Sequence, residues 1–363
     1  MLRQSLTLFV LCALAPAISN AQELSRIHQP TLTPQNSGTT NGLIAVSPVN
    51  PQVVWASGRA GTFTVTTDGG RTWRAGVVPG AEALQFRDVQ GVSAKVAYLM
   101  SIGTSGDPGD FRIYKTEDGG ANWTLQFQNQ NPGAFYDCFA FWTPRRGIAH
   151  SDSVNGVFPD LRTTDGTTWE DISDAMPPAL TGEFSFASSG TCVATQGGRK
   201  AWIVTGGASV ARVLATRDGG DTWNAYDTPL FSSPSAGAFT VAFRNPWRGI
   251  VGGGDLDPAN PDSAATATSR DGGQTWTLTN PPPVTGAIFG LSYVGKTGHG
   301  GGSSHGDAAV VITANDGGAA WTPDEGDTWF PLTGVSGFWA VAFASPKAGW
   351  LVGTDGRILK ISF

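Results

Sequence analysis

The chain is poor in the residues that most catalytic and nucleic-acid-binding sites are built from. Its 363 residues include four histidines and three cysteines. It has no Cys-x-x-Cys pair, no haem motif and no strand, glycine-rich turn and helix of the dinucleotide-binding kind, so nothing supports an oxidoreductase and no cofactor is expected. Charge is sparse as well: 23 Lys and Arg stand against 29 Asp and Glu, a net −6. Such a surface is not suited to a polyanion, which excludes nucleic acid as an expected partner. After the first 21 residues no apolar run approaches the ~20 residues of a membrane-spanning helix, and no membrane span is expected.

What the chain has instead is glycine, 49 residues of it, and 13 tryptophans. Met1 to Ala21 carries Arg3, an apolar stretch from Leu6 to Ala15 and a small-residue end at Ser19-Asn20-Ala21, the layout of a secretory signal peptide. The mature protein is expected to begin near Gln22 and to be exported, periplasmic or secreted. A lipoprotein role for Cys12 is disfavoured by Leu11, which stands where a small residue is needed. Residues 22–363 are expected to form one domain, because repeats run to the C-terminus, and the protein is expected to be monomeric.

Those repeats fix the architecture. Thr66-Thr-Asp68-Gly-Gly70-Arg-Thr-Trp73 recurs around Asp118, Asp218 and Asp271 almost letter for letter. The copy at Asp165 is one residue short, the copy at Asp324 has Glu325 for the first glycine, and a seventh is cut off at Ile361-Ser362-Phe363. Successive aspartates are 50, 47, 53, 53 and 53 residues apart, the period of a four-stranded propeller blade. Asp-Gly-Gly is hairpin chemistry, since the carboxylate accepts turn N–H groups and glycine supplies positive φ; the tryptophan then begins a strand and offers a large plate for packing between blades. These phrases are Asp-boxes, similar to those of sialidases, sortilin-type receptors and photosystem assembly factors. As structural turns they do not specify chemistry.

Each unit reads as an inner strand a, a strand b ending in glycine, a strand c running into the box, and an outer strand d. The units are 42–79, 84–128, 135–173, 182–230, 236–283, 286–333 and, without its strand d, 337–363. Leu24 to Thr33 is expected to supply the missing outer strand and close the ring, which removes the exposed edges of an open array. The predicted fold is therefore all-β: a single seven-bladed β-propeller with Asp-box repeats, closed by an N-terminal strand.

Three features are read as structural. Aligning Phe141 with Phe186 puts Cys192 about nine residues, ~30 Å at strand rise, beyond the level of Cys138, so both are expected to be buried, unpaired small hydrophobes. Asn315-Asp316-Gly317-Gly318 resembles a box but fits the turn between strands b and c. Gly298 to His305, with two histidines and no nearby cysteine, reads as a loop, and Asp255, Asp257 and Asp262 lack EF-hand spacing; no metal site is expected.

A ligand site belongs on the face opposite the boxes, where strands a begin and b to c loops project. Asp88, Asp137 and Glu183 are the carboxylates placed there and the candidates for catalysis. Arg87, Tyr136, Asp152, Phe289 and Trp339 are the candidates for ligand binding, and acids and aromatics around a concavity suit a polar ligand such as a sugar. Asp68, Asp118, Asp165, Asp218, Asp271 and Asp324 are structural.

Phe135-Tyr-Asp-Cys-Phe-Ala-Phe-Trp142, Arg146-Gly-Ile-Ala-His-Ser-Asp152, Gly182-Glu-Phe-Ser-Phe-Ala-Ser-Ser-Gly-Thr191 and Ser235-Ala-Gly-Ala-Phe239 resemble an exported, Asp-box-bearing bacterial family related to the photosystem II stability and assembly factor. The resemblance spans nearly the whole mature chain and implies a propeller that binds a protein or glycan partner without catalysis. Two departures stand out: Ile288-Phe289-Gly290 replaces an expected Tyr-Arg-Ser, which weakens an anion-binding role, and Ser153 replaces a proline. The alternative is a glycoside hydrolase using the three acids, which would have to be spaced for retaining or inverting chemistry. A sialidase is disfavoured, because Phe111-Arg-Ile-Tyr114 lacks the proline of the sialidase motif and runs into a box as strand c.

Overall fold

Strand b of the repeats is apolar almost without interruption, and a strand of that kind must be covered on both faces. In the computed structural model, which describes residues 29–103, 105–295 and 308–363, Val54–Gly58, Ala97–Ile102, Gly249–Asp255 and Ala348–Gly353 are each buried along their whole length. They are the second strands of four of the seven antiparallel four-stranded sheets. Each inner strand packs against those of the blades before and after it, so that blade seven meets blade one and the ring closes.

Closure uses the N-terminal strand. Thr31–Asn36 pairs antiparallel with Arg357–Ser362, from Thr31 opposite Ser362 to Asn36 opposite Arg357, and completes the sheet of Ala348–Gly353 and Phe338–Ser345. The strand begins later than the expected Leu24, and residues up to 28 lie outside the described part. Gln35 fixes its position, because its Oε1 accepts the indole N–H of both Trp73 in blade one and Trp350 in blade seven, at 3.1 and 3.2 Å.

The repeated phrase folds into one turn. Asp68 accepts the Thr72 N–H and hydroxyl at 2.9 and 2.7 Å, while the Thr66 hydroxyl donates to Asp68 and accepts the Gly70 N–H. Asp165, Asp218 and Asp271 repeat these bonds, Asp118 does so with the Asn122 side-chain amide in place of the hydroxyl, and Asp324 keeps their core. At the sixth turn Glu325 takes the left-handed conformation that glycine takes elsewhere, φ 59°, which is costly for a residue with a Cβ. Its carboxylate compensates by accepting the Tyr293 hydroxyl and pairing with Arg244 of blade five.

A glycine at or near the end of strand b is required by the backbone beside it. A Cβ on Gly58, Gly253 or Gly353 would stand 2.0, 2.0 or 2.1 Å from the carbonyl oxygen of Gly42, Gly237 or Gly337, where strand a of the same blade begins. Residues 314–318 form the turn between Val310–Thr313 and Ala319–Thr322, as expected of the box-like Asn315 to Gly318. Gly298 to His305 lies outside the described residues. Asp255 caps its own loop, accepting from the Ser235 hydroxyl, the Asp257 N–H and the Asn260 amide.

Blade four overturns the expectation for the cysteines. Its inner strand is Val193–Gln196, not the stretch from Glu183, and Thr195 donates its hydroxyl to the Phe141 carbonyl of blade three. Cys192 therefore lies level with Cys138, their Cα atoms 6.0 Å apart, and the two form a disulfide. Aligning Phe141 with Phe186 failed because residues 186–191 are an insertion that loops out of the blade, between Phe184, which still pairs with Gly206, and Cys192, whose carbonyl accepts the Val204 N–H.

Candidate functional site: the channel mouth

The insertion lies across the end of the channel. Ser185 N–H donates to Asp152 of blade three at 2.9 Å, the Ala187 carbonyl accepts Arg87 of blade two at 3.0 Å, and the Ser188 and Ser189 hydroxyls donate to the Phe289 carbonyl of blade six. One segment of blade four thus reaches three other blades. A cavity of about 380 Å³ lies against it, lined by strand a starts and strand b ends, on the face away from the repeated turns.

The lining side chains share a backbone device. At the mouth end of strand a, blades two, three, five and seven each skip one residue in the pairing with strand b, as blade one does at the buried Ile44, and in those four blades the unpaired residues are Arg87, Asp137, Phe239 and Trp339. All four line the cavity. A bulge leaves its extra residue out of the ladder and re-aims the side chain, here toward the channel. The flanking residues turn away: Tyr136 is buried, donates its hydroxyl to the Pro159 carbonyl and packs edge-on against Phe127, and Asp88 accepts the buried N–H groups of Val89 and Phe139 at 2.7 and 2.8 Å. Neither Tyr136 nor Asp88 lines the cavity.

Aromatic rings form an arc around the mouth. Phe186 stacks on Phe239 with centroids 3.7 Å apart, Phe239 and Phe289 are near-parallel at 6.0 Å, and Phe289 leans on Trp339 at 5.1 Å. The Arg87 guanidinium ends the arc 5.4 Å from the Trp339 ring centre, a cation–π contact. Burial, then the nearby Arg59, lowers the Arg87 pKa to about 10, which leaves it charged at neutral pH; Asp137 opposes the shift.

Asp137 and Asp152 form a carboxyl pair on this wall. Asp137 is 1% exposed, and neither of its oxygens has a hydrogen-bond partner among the described residues. The two carboxyls are near enough to bond to one another once one holds a proton. Burial pushes Asp137 well above the usual carboxylate range, with Asp152 and Asp160 adding to it and the nearby Ala187 N–H offsetting part. Burial raises Asp152 to about 6, against the pull of the Ser185 N–H. At neutral pH such a pair holds one proton between two sites.

Glu183 has a different role. Its carboxylate is buried and accepts from the Leu180 N–H, the Thr205 hydroxyl and the Arg212 guanidinium, the last through both oxygens. It anchors the root of the insertion and does not line the cavity. Sequence reasoning missed Phe184 and Phe186 as lining residues, because the insertion was read as an inner strand, and did not single out Leu256 on the b to c loop of blade five. The bulge has no fixed place in the strand, falling third in Gln85–Gly91, second in Tyr136–Thr143 and Phe338–Ser345 and fourth in Ala236–Phe243.

The sequence matches no protein-family model and no curated protein significantly. The structure is similar to one described as YCF48 bound to D1 peptide, with a TM-score of 0.59 and 17% identity over 93% of this chain and 98% of that one. It is similar to YCF48 from Cyanidioschyzon merolae, with a TM-score of 0.62 and 15% identity over 91% and 98%. It is also similar to the WD40 β-propeller domain of Doa1, with a TM-score of 0.54 and 11% identity over 92% and 97%. At these identities the likeness establishes the propeller fold, and the WD40 domain shows that it extends across propellers of different kinds.

Proposed function

We propose that this chain is a non-catalytic propeller that binds a protein partner across its channel mouth, in the manner of an assembly or stability factor. The observation that carries the reading is the mouth itself. An aromatic arc lines it, and its rim carries Phe231, Leu256 and Val157 at 59, 50 and 46% exposure, on the d to a connection of blade five and the b to c loops of blades five and three. Aromatic centres with apolar rims mark protein-binding patches more often than plain surface. The YCF48 structure whose description names a bound D1 peptide supports a peptide segment as ligand.

The repeated turns are read as Asp-boxes, residues 22–363 as one exported monomeric domain, and the compartment as the periplasm or the exterior. A glycan ligand would also suit aromatic rings beside carboxyls. Hydrolysis is disfavoured by the occupation of the acids: Asp88 and Glu183 spend their oxygens on buried hydrogen bonds and neither lines the cavity.

The test captures partners from the exported fraction of the native cell with the purified chain, with Phe231→Asp/Leu256→Asp on the mouth rim and with Trp247→Asp on the opposite face. The reading expects one partner that the rim variant loses and the Trp247 variant keeps. Capture indifferent to the rim variant, or sugar release from a polysaccharide panel abolished by Asp137→Asn, would sink it.

A further inference from the structure

We propose that the mouth holds a primary ammonium group of the partner, with Asp137 and Asp152 as its acceptors. The inference rests on the reading of the mouth as a binding site and names the chemistry it takes. A buried carboxyl with no partner is expensive to keep, and Asp137 is both nine-tenths or more buried and directed into the cavity. Its two oxygens, neither of which has a partner among the described residues, and the Asp152 Oδ2 that the Ser185 N–H leaves unused make three acceptors once the shared proton has left. An ammonium group has three donors and no acceptor.

The walls fit what stands behind such a group. Phe184, Phe186, Phe239, Phe289 and Leu256 give an apolar passage, along which an alkyl stem packs while its charged head reaches polar atoms. Ring faces are electronegative and favour a cation beside them. A guanidinium is the poorer fit, because the Trp339 ring already carries Arg87.

The charges around the pair set the linkage. Arg87 faces Asp137 from blade two with Arg59 beyond it, and His150 and Asp160 act on the pair from within blade three, where Asp160 holds His150 at 2.9 Å. The empty pair holds one proton, so an ammonium ion entering between the carboxyls displaces it to solvent. Binding then strengthens as pH rises.

Calorimetry on the intact mature chain tests this with capped alanine pentapeptides carrying a central lysine or norleucine, and with an uncapped pentaalanine amide whose only ammonium is its N-terminus. The lysine or the uncapped peptide is expected to bind at least about tenfold tighter than the norleucine peptide, and which of them does so identifies the source. Asp137→Asn and Asp152→Asn should each lose about tenfold or more. For the lysine peptide, whose ammonium stays charged throughout, heats at pH 8 should vary with buffer ionisation enthalpy as proton release requires, and affinity should fall between pH 8 and pH 5.5. Norleucine binding as tightly as the amines, or an unchanged Asp137→Asn, overturns the ammonium inference and leaves a peptide-binding mouth. No binding by any peptide also overturns it, while the rim variants judge the partner reading separately.

Discussion

Cys138 and Cys192 join the inner strands of adjacent blades across 54 positions of sequence. Asp137 immediately precedes one cysteine, and the insertion that crosses the channel ends at the other. The disulfide therefore ties the carboxyl pair to the segment facing it, and packing and covalent linkage shape the mouth together.

Closing a loop of that length lowers the entropy of the unfolded chain enough to stabilise the fold by ~4 kcal/mol in the chain-entropy model. Cys138→Ser/Cys192→Ser is expected to unfold at lower urea by an amount of that order, with the propeller still formed. Hydrogen exchange should rise first in residues 184–191. An unchanged urea midpoint would mean that the bond adds nothing to the fold.

Glu183 and Arg212 are a buried pair, the side chains 0 and 10% exposed. Removing one partner strands the other, at a cost of about 3–5 kcal/mol. Arg212→Met should destabilise by that amount in urea unfolding and Glu183→Gln by less, since glutamine still accepts from Thr205. If Glu183 were catalytic, Glu183→Gln would abolish an activity with little effect on stability; the hydrogen bonds predict the reverse.

The mouth acids and the turn acids respond to pH in opposite senses. Asp137 and Asp152 have folded pKa values above the unfolded value of 3.8, so they cost nothing below about pH 4 and an increasing amount of stability as pH rises from there through about 6 for Asp152 and on through the higher value of Asp137. Asp68, Asp118, Asp165 and Asp218 are held at about 2, so they add stability above about 4 that is lost as pH falls toward 2. Asp137→Asn/Asp152→Asn is therefore expected to be more stable than wild type at pH 8, with the difference vanishing near pH 4. Urea midpoints from pH 3 to 8 check this, and an advantage independent of pH would contradict it.

The sequence alone determined the blades, because each box closes its turn with its own Asp, Thr and Gly, and such contacts repeat wherever the letters do. It likewise determined strand b as the doubly covered strand, its terminal glycine, and an N-terminal strand to finish the ring. It placed the cavity-lining Arg87, Asp137, Asp152, Phe289 and Trp339 on the mouth face, since the start of strand a is a fixed point of the repeat. The tertiary structure decided which neighbours face inward: one unpaired residue reverses the alternation of a strand, and bulges sent Asp137 into the cavity while Tyr136 and Asp88 went into the walls. It also decided the course of residues 184–191, and with it the disulfide, the Glu183–Arg212 pair and the closed floor of the mouth. Those contacts link distant blades, and a repeat alignment, which compares each blade only with itself, holds no information about them.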